Sequence, residues 1–221
     1  MFYWFMKHIV AGPLLRALFR PRLIGRSNIP KTGRIILASN HLSFIDSVIL
    51  PLVIRRRIYF LAKNSYFRGH GFGGWALKRF LLGTGMLPLD PSGGRASETS
   101  LRAGLDVLDN ERVLGIFPEG TRSPDGRMYR GRTGVARMVL AGHARVVPVA
   151  IFDTDKVMPV GGTRIQIRRI GFTFGEPLDF SRFEGREVDP NTLRAITDEI
   201  MSAIQKLSGQ EVVDAYASAR N

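Results

Sequence analysis

A chain of 221 residues, 44% of them apolar, can bury roughly 70 per cent or more of its unfolded surface around one core, and its glycines and prolines form no repeat and no low-complexity run. Zero cysteines exclude disulfides, thiolate metal sites and a cysteine acyl-enzyme. The net charge of +13 sits at one end: residues 1–80 hold 14 Lys and Arg against a single acid, Asp46, and residues 81–221 hold 18 against 18. A one-signed region of this kind attracts anionic lipid headgroups or nucleic acid, and charge alone does not choose between them.

The first 20 residues favour lipid. Phe2, Tyr3, Trp4, Phe5 and Phe19 stand among many aliphatics, a composition that nucleic acid does not require. Lys7, His8, Arg16 and the Pro13 break interrupt the run too often for a spanning helix, which takes about 20 apolar residues. It is not a secretory signal, because charge does not precede the apolar run and no small-residue cleavage site follows. At about 100° per residue Lys7 and Arg16 fall on opposite faces, so no clean amphipathic stripe forms. Residues 1–28 are therefore expected to be a monotopic anchor on the cytoplasmic face, one short helix or two pieces around Pro13. Tyr3 and Trp4 would sit at headgroup level with basic side chains snorkelling. The alternative is a helix packed on its own domain.

From Pro30 onward, short apolar runs alternate with helical stretches. Strands are expected at 34–39, 58–62, 86–89, 113–117, 146–152 and 164–174, and helices at about 44–54, 74–82, 95–110, 133–142 and 190–208. This alternation implies an α/β sheet covered by helices over residues 29–208, followed by a tail, 209–221, that carries no signal. Sites in such sheets gather at strand ends. His41 follows the first of these strands and Glu119 the fourth.

Those two positions lie in the blocks that carry chemistry. In Asn40-His41-Leu42-Ser43-Phe44-Ile45-Asp46, a histidine with a carboxylate five residues on can be a general base whose imidazole the acid orients and charge-stabilises. Five residues along a helix would turn the two about 140° apart, so pairing requires His41 in the strand-to-helix turn. Ser43 and Asp46 also read as a capping box. In Phe117-Pro118-Glu119-Gly120-Thr121-Arg122-Ser123, a turn after an apolar strand offers a guanidinium, a hydroxyl and backbone N–H groups to an anion. Alone it could be an ordinary surface turn. Together the blocks suggest proton removal from a phosphate-bearing substrate.

Other motifs carry less. Gly69-His70-Gly71-Phe72-Gly73-Gly74 matches a dinucleotide fingerprint in spacing, but a charged segment separates it from the strand, so it reads as backbone shaping a pocket. No Gly-x-Ser-x-Gly elbow occurs, and His8, His70 and His143 stand apart from any acid cluster with metal-site spacing. Arg55-Arg56-Arg57 reads as a solvated or lipid-facing loop. Arg130 and Arg132 read the same way or as contacts to a donor's phosphates.

From about residue 30 to 180 the chain resembles the lysophosphatidic acid acyltransferase family of glycerophospholipid acyltransferases. His41 and Asp46 meet its Asn-His-x4-Asp block, residues 117–123 meet its Phe-Pro-Glu-Gly-Thr-Arg-Ser block unchanged, and Val146-Val147-Pro148-Val149-Ala150-Ile151 meets its proline-centred strand. The family usually closes its second block with Asp-Arg, whereas Pro91 follows Asp90 here; Arg95 is the nearby arginine that could stand in.

The resemblance implies a mixed sheet flanked by helices and acyl transfer from acyl-CoA or acyl carrier protein to lysophosphatidic acid, without metal or prosthetic group. It implies His41 and Asp46 as the catalytic pair and Glu119, Gly120, Thr121 and Arg122 at the acceptor phosphate. Asn40, Lys63, Arg95 and Arg130 are further candidates for contact with acceptor or donor. Anionic membrane lipids are expected partners and nucleic acid is not. The alternatives are another lysophospholipid or glycolipid acceptor, or a non-catalytic basic membrane or RNA-binding protein on the same fold.

Overall fold

The computed structural model describes residues 2–63, 67–89, 96–162, 164–185 and 188–217. Its strands are β1 (Arg22–Ile24), β2 (Ile35–Ser39), β3 (Ile58–Lys63), β4 (Met86–Leu89), β5 (Val113–Ile116), β6 (Met128–Tyr129), β7 (Arg145–Phe152), β8 (Gly171–Phe174) and β9 (Val212–Val213). Seven of them form one sheet in the order β1-β8-β7-β2-β5-β3-β4, and β6 pairs with β9 apart from it. Within the sheet every pairing is parallel except β7 with β8, so the expected mixed α/β sheet is present.

The helices are α1 (Phe2–Phe5), α2 (Ala11–Phe19), α3 (Asp46–Val53), α4 (Gly71–Thr84), α5 (Ala96–Asp109), α6 (Gly134–Gly142), α7 (Thr154–Val157) and α8 (Pro190–Ser208). They cover both faces, which is why β2 is buried from end to end. Its Ile35 and Leu37 join the core with residues of α2, α3 and α4, and its Ile36 and Ala38 join the opposite core with α5, α6 and α8. A strand buried on both sides reads as a continuous apolar run. Helix α8 has both its ends written in sequence: Asp189 caps Thr192 N–H at 2.8 Å, Pro190 takes the first helical position, and Gly209 closes the helix at φ 67°.

Several expectations need correction. Only Gly171–Phe174 of the 164–174 run is a strand; the stretch before it joins no strand, touching the rest through Gln166 N–H on the Val157 carbonyl and Ile170 N–H on the Phe19 carbonyl, and Ile165 and Ile167 are exposed. The helix expected at 74–82 starts earlier, at Gly71 within the glycine run, and a Cβ on Gly74 would come within 2.2 Å of the Gly69 backbone. Arg56 donates to the carbonyls of Pro30 and Gly33, and Arg57 stacks over Tyr3 and Tyr59, so only Arg55 of the triplet is exposed. Strand β1 draws part of the 1–28 segment into the main sheet.

The N-terminal segment breaks at a π-helical turn, Met6–Val10, ahead of Pro13. Pro13 lacks the N–H for a bond to Ile9 and its ring crowds that carbonyl, so the wider turn relieves it. Gly12 is required there, since a Cβ would stand 1.8 Å from the Lys7 carbonyl oxygen. Among the described residues no helix is long and apolar enough to cross a membrane. Tyr3 and Lys7 do not face outward as expected. The Tyr3 hydroxyl donates to the Pro51 carbonyl, and the Lys7 ammonium, 1% exposed, donates to the carbonyls of Ile54 and Arg55. Arg16 donates to the Leu52 carbonyl at 3.0 Å. These cations satisfy the free carbonyls at the C-terminal end of α3, where the helix dipole is negative. Trp4 and Phe5 stay about half exposed.

Candidate active site

The parallel strands β2, β3 and β5 end on one edge of the sheet, and the chain leaving β2 turns through Asn40 to Ser43 before α3 starts at Asp46. His41 thus lies in the turn, as the 140° argument demands. Its Nδ1 stands 2.9 Å from Asp46 Oδ2, and the same oxygen accepts the backbone N–H groups of Leu42 and Ser43 at 2.8 Å each. A carboxylate oxygen accepts only, so Nδ1 carries the proton and the Nε2 lone pair is left for substrate. Asp46 is fully buried, and its three donors hold it in one orientation. The imidazole stacks on Phe117, with centroids 3.8 Å apart, and Phe117 stacks on Phe60. The capping box is only half made, because Ser43 Oγ donates to the Met158 carbonyl in place of a bond with Asp46 N–H.

Strand β5 leads into the second block. Gly120 closes a turn with its N–H on the Phe117 carbonyl at 3.0 Å and adopts φ 76°, a conformation that favours glycine. A Cβ there would also meet the Arg132 side chain at 2.9 Å. Glu119 is buried, and its Oε2 accepts Tyr129 N–H at 2.9 Å, so it braces the turn from beneath. Burial pushes its carboxyl up to about 7, against the backbone N–H groups of Tyr129 and His41, which lower it. Arg122 is partly exposed, and among the described residues it has no hydrogen-bond or ion-pair partner.

The two blocks are joined through the backbone. Ser123 N–H donates to the His41 carbonyl at 2.7 Å, which fixes the anion turn against the turn holding the base. Ser123 Oγ accepts Gly126 N–H and donates to the Arg127 carbonyl, closing the loop on itself. The arrangement can take a proton at Nε2 and hold an anion at the 120–122 turn. Among the described residues no group of three or more His, Asp or Glu is placed to hold a metal ion.

The lesser candidates divide. Asn40 is a brace and not a contact: its Oδ1 accepts Ile151 N–H, and its Nδ2 donates to the Ile151 carbonyl and to Gln210 Oε1. Arg130 pairs with Asp214 at 3.7 Å and lies over the Tyr216 ring. Lys63 ends β3 on the site's edge of the sheet, and Arg95 lies outside the described residues. Sequence reasoning passed over Gln210 and Tyr216, and it set Arg132 apart from the anion turn although its side chain lies against Gly120.

A strand-edge histidine–aspartate pair joined by its backbone to a glycine turn on a mixed α/β sheet is an arrangement in which acid–base chemistry is possible. The acyltransferase family model matches residues 20–152, and the chain belongs to that family. It is 28% identical over 165 residues to a chloroplastic 1-acyl-sn-glycerol-3-phosphate acyltransferase of Arabidopsis thaliana, covering 74% of this chain and 45% of that protein. It is 25% identical over 194 residues to the 1-acyl-sn-glycerol-3-phosphate acyltransferase of Bacillus subtilis, covering 86% and 88%. The chain spans about half the length of the chloroplastic plant and the algal relatives it matches. The crystal structure of the 1-acyl-sn-glycerophosphate acyltransferase of Thermotoga maritima shares the fold, with TM-score 0.66 and 23% identity over 93% of this chain and 87% of that one.

Proposed function

We propose that the chain transfers a fatty acyl group from a thioester donor, acyl-CoA or acyl carrier protein, to the free hydroxyl of lysophosphatidic acid, giving phosphatidic acid. His41 Nε2 takes the hydroxyl proton as the oxygen attacks the thioester carbonyl carbon. The imidazolium returns that proton to the departing thiolate, and Asp46 balances the charge between the two steps. Arg122 pairs with the acceptor phosphate, with Thr121 and the open backbone at Gly120 as further donors. The Ser123 N–H bond to the His41 carbonyl carries this reading, because it sets base and anion site in one rigid register.

Membrane association belongs to the same proposal. Trp4, Phe5, Ile9 and Leu14 of the N-terminal segment and Phe72, Trp75 and Leu77 of α4 are exposed, and α4 contacts both α1 and the π-helical turn. The chain rests by this face on the cytoplasmic leaflet, drawn by anionic lipid and not by nucleic acid.

The test is acyl transfer over a panel of lysolipids with both donor types. His41→Ala abolishes turnover in folded protein, and Asp46→Asn lowers kcat by about 10²- to 10⁴-fold. Arg122→Ala weakens acceptor binding roughly 10- to 150-fold, the worth of about 1.5 to 3 kcal/mol for a charged hydrogen bond. An equal loss on phosphate-free monoacylglycerol would remove the phosphate role, and wild-type turnover in His41→Ala would remove the mechanism.

A further inference from the structure

The turn that ends α8 throws the tail back across the site. Gly209 takes the left-handed conformation, with its N–H on the Gln205 carbonyl at 2.8 Å, and the next residue, Gln210, reaches between the two catalytic blocks. Gln210 Nε2 donates to the Gly126 carbonyl in the anion loop at 2.6 Å, and Gln210 Oε1 accepts from Asn40 Nδ2 at 2.8 Å. The orientation of both amides follows from chemistry. The Gly126 carbonyl can only accept, so Nε2 must face it and Oε1 must face Asn40. Asn40 then gives one hydrogen to Gln210 and the other to the Ile151 carbonyl, while its Oδ1 takes the Ile151 N–H. An unbroken relay runs from the anion loop through the residue next to His41 to strand β7.

The following residues hold the same loop from outside. Glu211 accepts Met128 N–H, Val212–Val213 pair with Met128–Tyr129, and Ala215 accepts Arg130 N–H. Tyr216 then lies under Arg132, 5.3 Å away, and Arg132 packs against Gly120 of the anion turn.

We propose that residues 210–216 are a strap that acts with the Ser123–His41 backbone bond to hold the His41 turn and the anion loop at their distance, with Gln210 as its positioning residue. The inference rests on the acyl-transfer reading of this site and adds to it a residue beyond the family's motif blocks. Removing the Gln210 amide leaves the Gly126 carbonyl and one Asn40 N–H without their partners, and both blocks gain freedom where they must be held. The two ends have separable consequences. The Asn40 end governs the base and therefore kcat. The Gly126 end governs the anion loop and therefore the acceptor KM.

Two variants separate them in the full chain. Gln210→Met keeps the reach and removes both bonds; it lowers kcat and raises the KM for lysophosphatidic acid, each by about three- to tenfold, the worth of one neutral hydrogen bond. Gln210→Glu keeps the acceptor for Asn40 but loses the donor to Gly126, so KM rises by the same factor while kcat stays within about twofold. Amide hydrogen exchange gives a readout independent of turnover: Gln210→Met speeds exchange at Ile151 and Gly126 by a similar factor. If wild-type protein transfers no acyl group, the acyl-transfer reading fails and the exchange rates alone decide whether Gln210 holds both ends. Should Gln210→Met fail to fold, the split between KM and kcat in Gln210→Glu settles the matter by itself. A variant that only melts earlier, with kcat, KM and exchange per folded molecule unchanged, overturns the strap.

Discussion

At Glu119 two pulls act on one carboxyl: burial beneath the anion turn raises it, and the backbone N–H groups of Tyr129 and His41 lower it, with a net rise from 4.5 to about 7. The physical consequence is a brace that sheds much of its negative charge near neutrality, directly under a turn proposed to hold a phosphate. A fully ionised carboxylate there would repel that anion. Because the folded state holds this proton more tightly than the unfolded chain, the stabilisation is complete below pH 4.5 and is lost as pH rises through about 7. Relative to Glu119→Gln, which keeps an acceptor for Tyr129 N–H without titrating, wild-type protein should lose on the order of 3 kcal/mol over that window. Urea unfolding of both proteins at about pH 4.5 and pH 7.5 measures it. Parallel stability curves for the two proteins would mean that Glu119 ionises freely in the folded chain.

Among the elements, what was legible in sequence is what is local. Strand β2, the His41 turn and the start of α3 fall within about 20 residues, and apolar patterning with one helical-angle argument placed them. Gln210 escaped because its partners, Asn40 and Gly126, lie 170 and 84 residues away in sequence, and a polar tail has no periodicity to mark such contacts. The alternation through Ile165 and Ile167 misled for a related reason: a strand needs a neighbour, and pattern alone does not supply one. Lys7 is the clearest case. Hydropathy assigns a lysine to the surface, yet the end of α3 offers it carbonyls, and burial pulls its ammonium from 10.5 down to about 8. A lowered folded pKa means that between pH 8 and 10.5 the unfolded chain binds the proton more tightly, so stability rises with pH across that window and is lost as pH falls back through it. Against Lys7→Met, wild-type protein should gain on the order of 2 kcal/mol between about pH 7.5 and 9.5, read by chemical denaturation. No difference in slope between the two would place the ammonium in solvent and undo the docking of the N-terminal segment on α3.

Across the whole molecule, the +13 charge of the first 80 residues is partly turned inward. Lys7, Arg16, Arg56 and Arg57 point at backbone carbonyls or aromatic rings of the chain itself, and Arg79 lies over the Trp75 ring, which leaves Lys78 and Arg55 among the exposed cations for the proposed lipid surface. In the proposed membrane contact the apolar contribution is expected to be the larger of the two. Phe72 is 82% and Trp75 56% exposed, stacked 5.8 Å apart beside the half-exposed Trp4 and Phe5. Sinking aromatics of this size into the interface contributes roughly 1.5 to 3 kcal/mol each at full burial, whereas a juxtamembrane cation contributes about 1 kcal/mol and is screened by salt. Salt near about 1 M, where the Debye length shrinks to about 3 Å, should therefore remove the preference for anionic over neutral vesicles and leave most binding in place. Phe72→Ser combined with Trp75→Ser should weaken binding to neutral vesicles at least about tenfold while leaving turnover on a detergent-dispersed acceptor unchanged, because both side chains lie outside the His41 site. Cosedimentation with neutral and anionic vesicles at low and high salt gives all of these quantities. Complete release of wild-type protein at high salt would make the attraction electrostatic alone. Undiminished neutral-vesicle binding by the double variant would take α4 out of the membrane face.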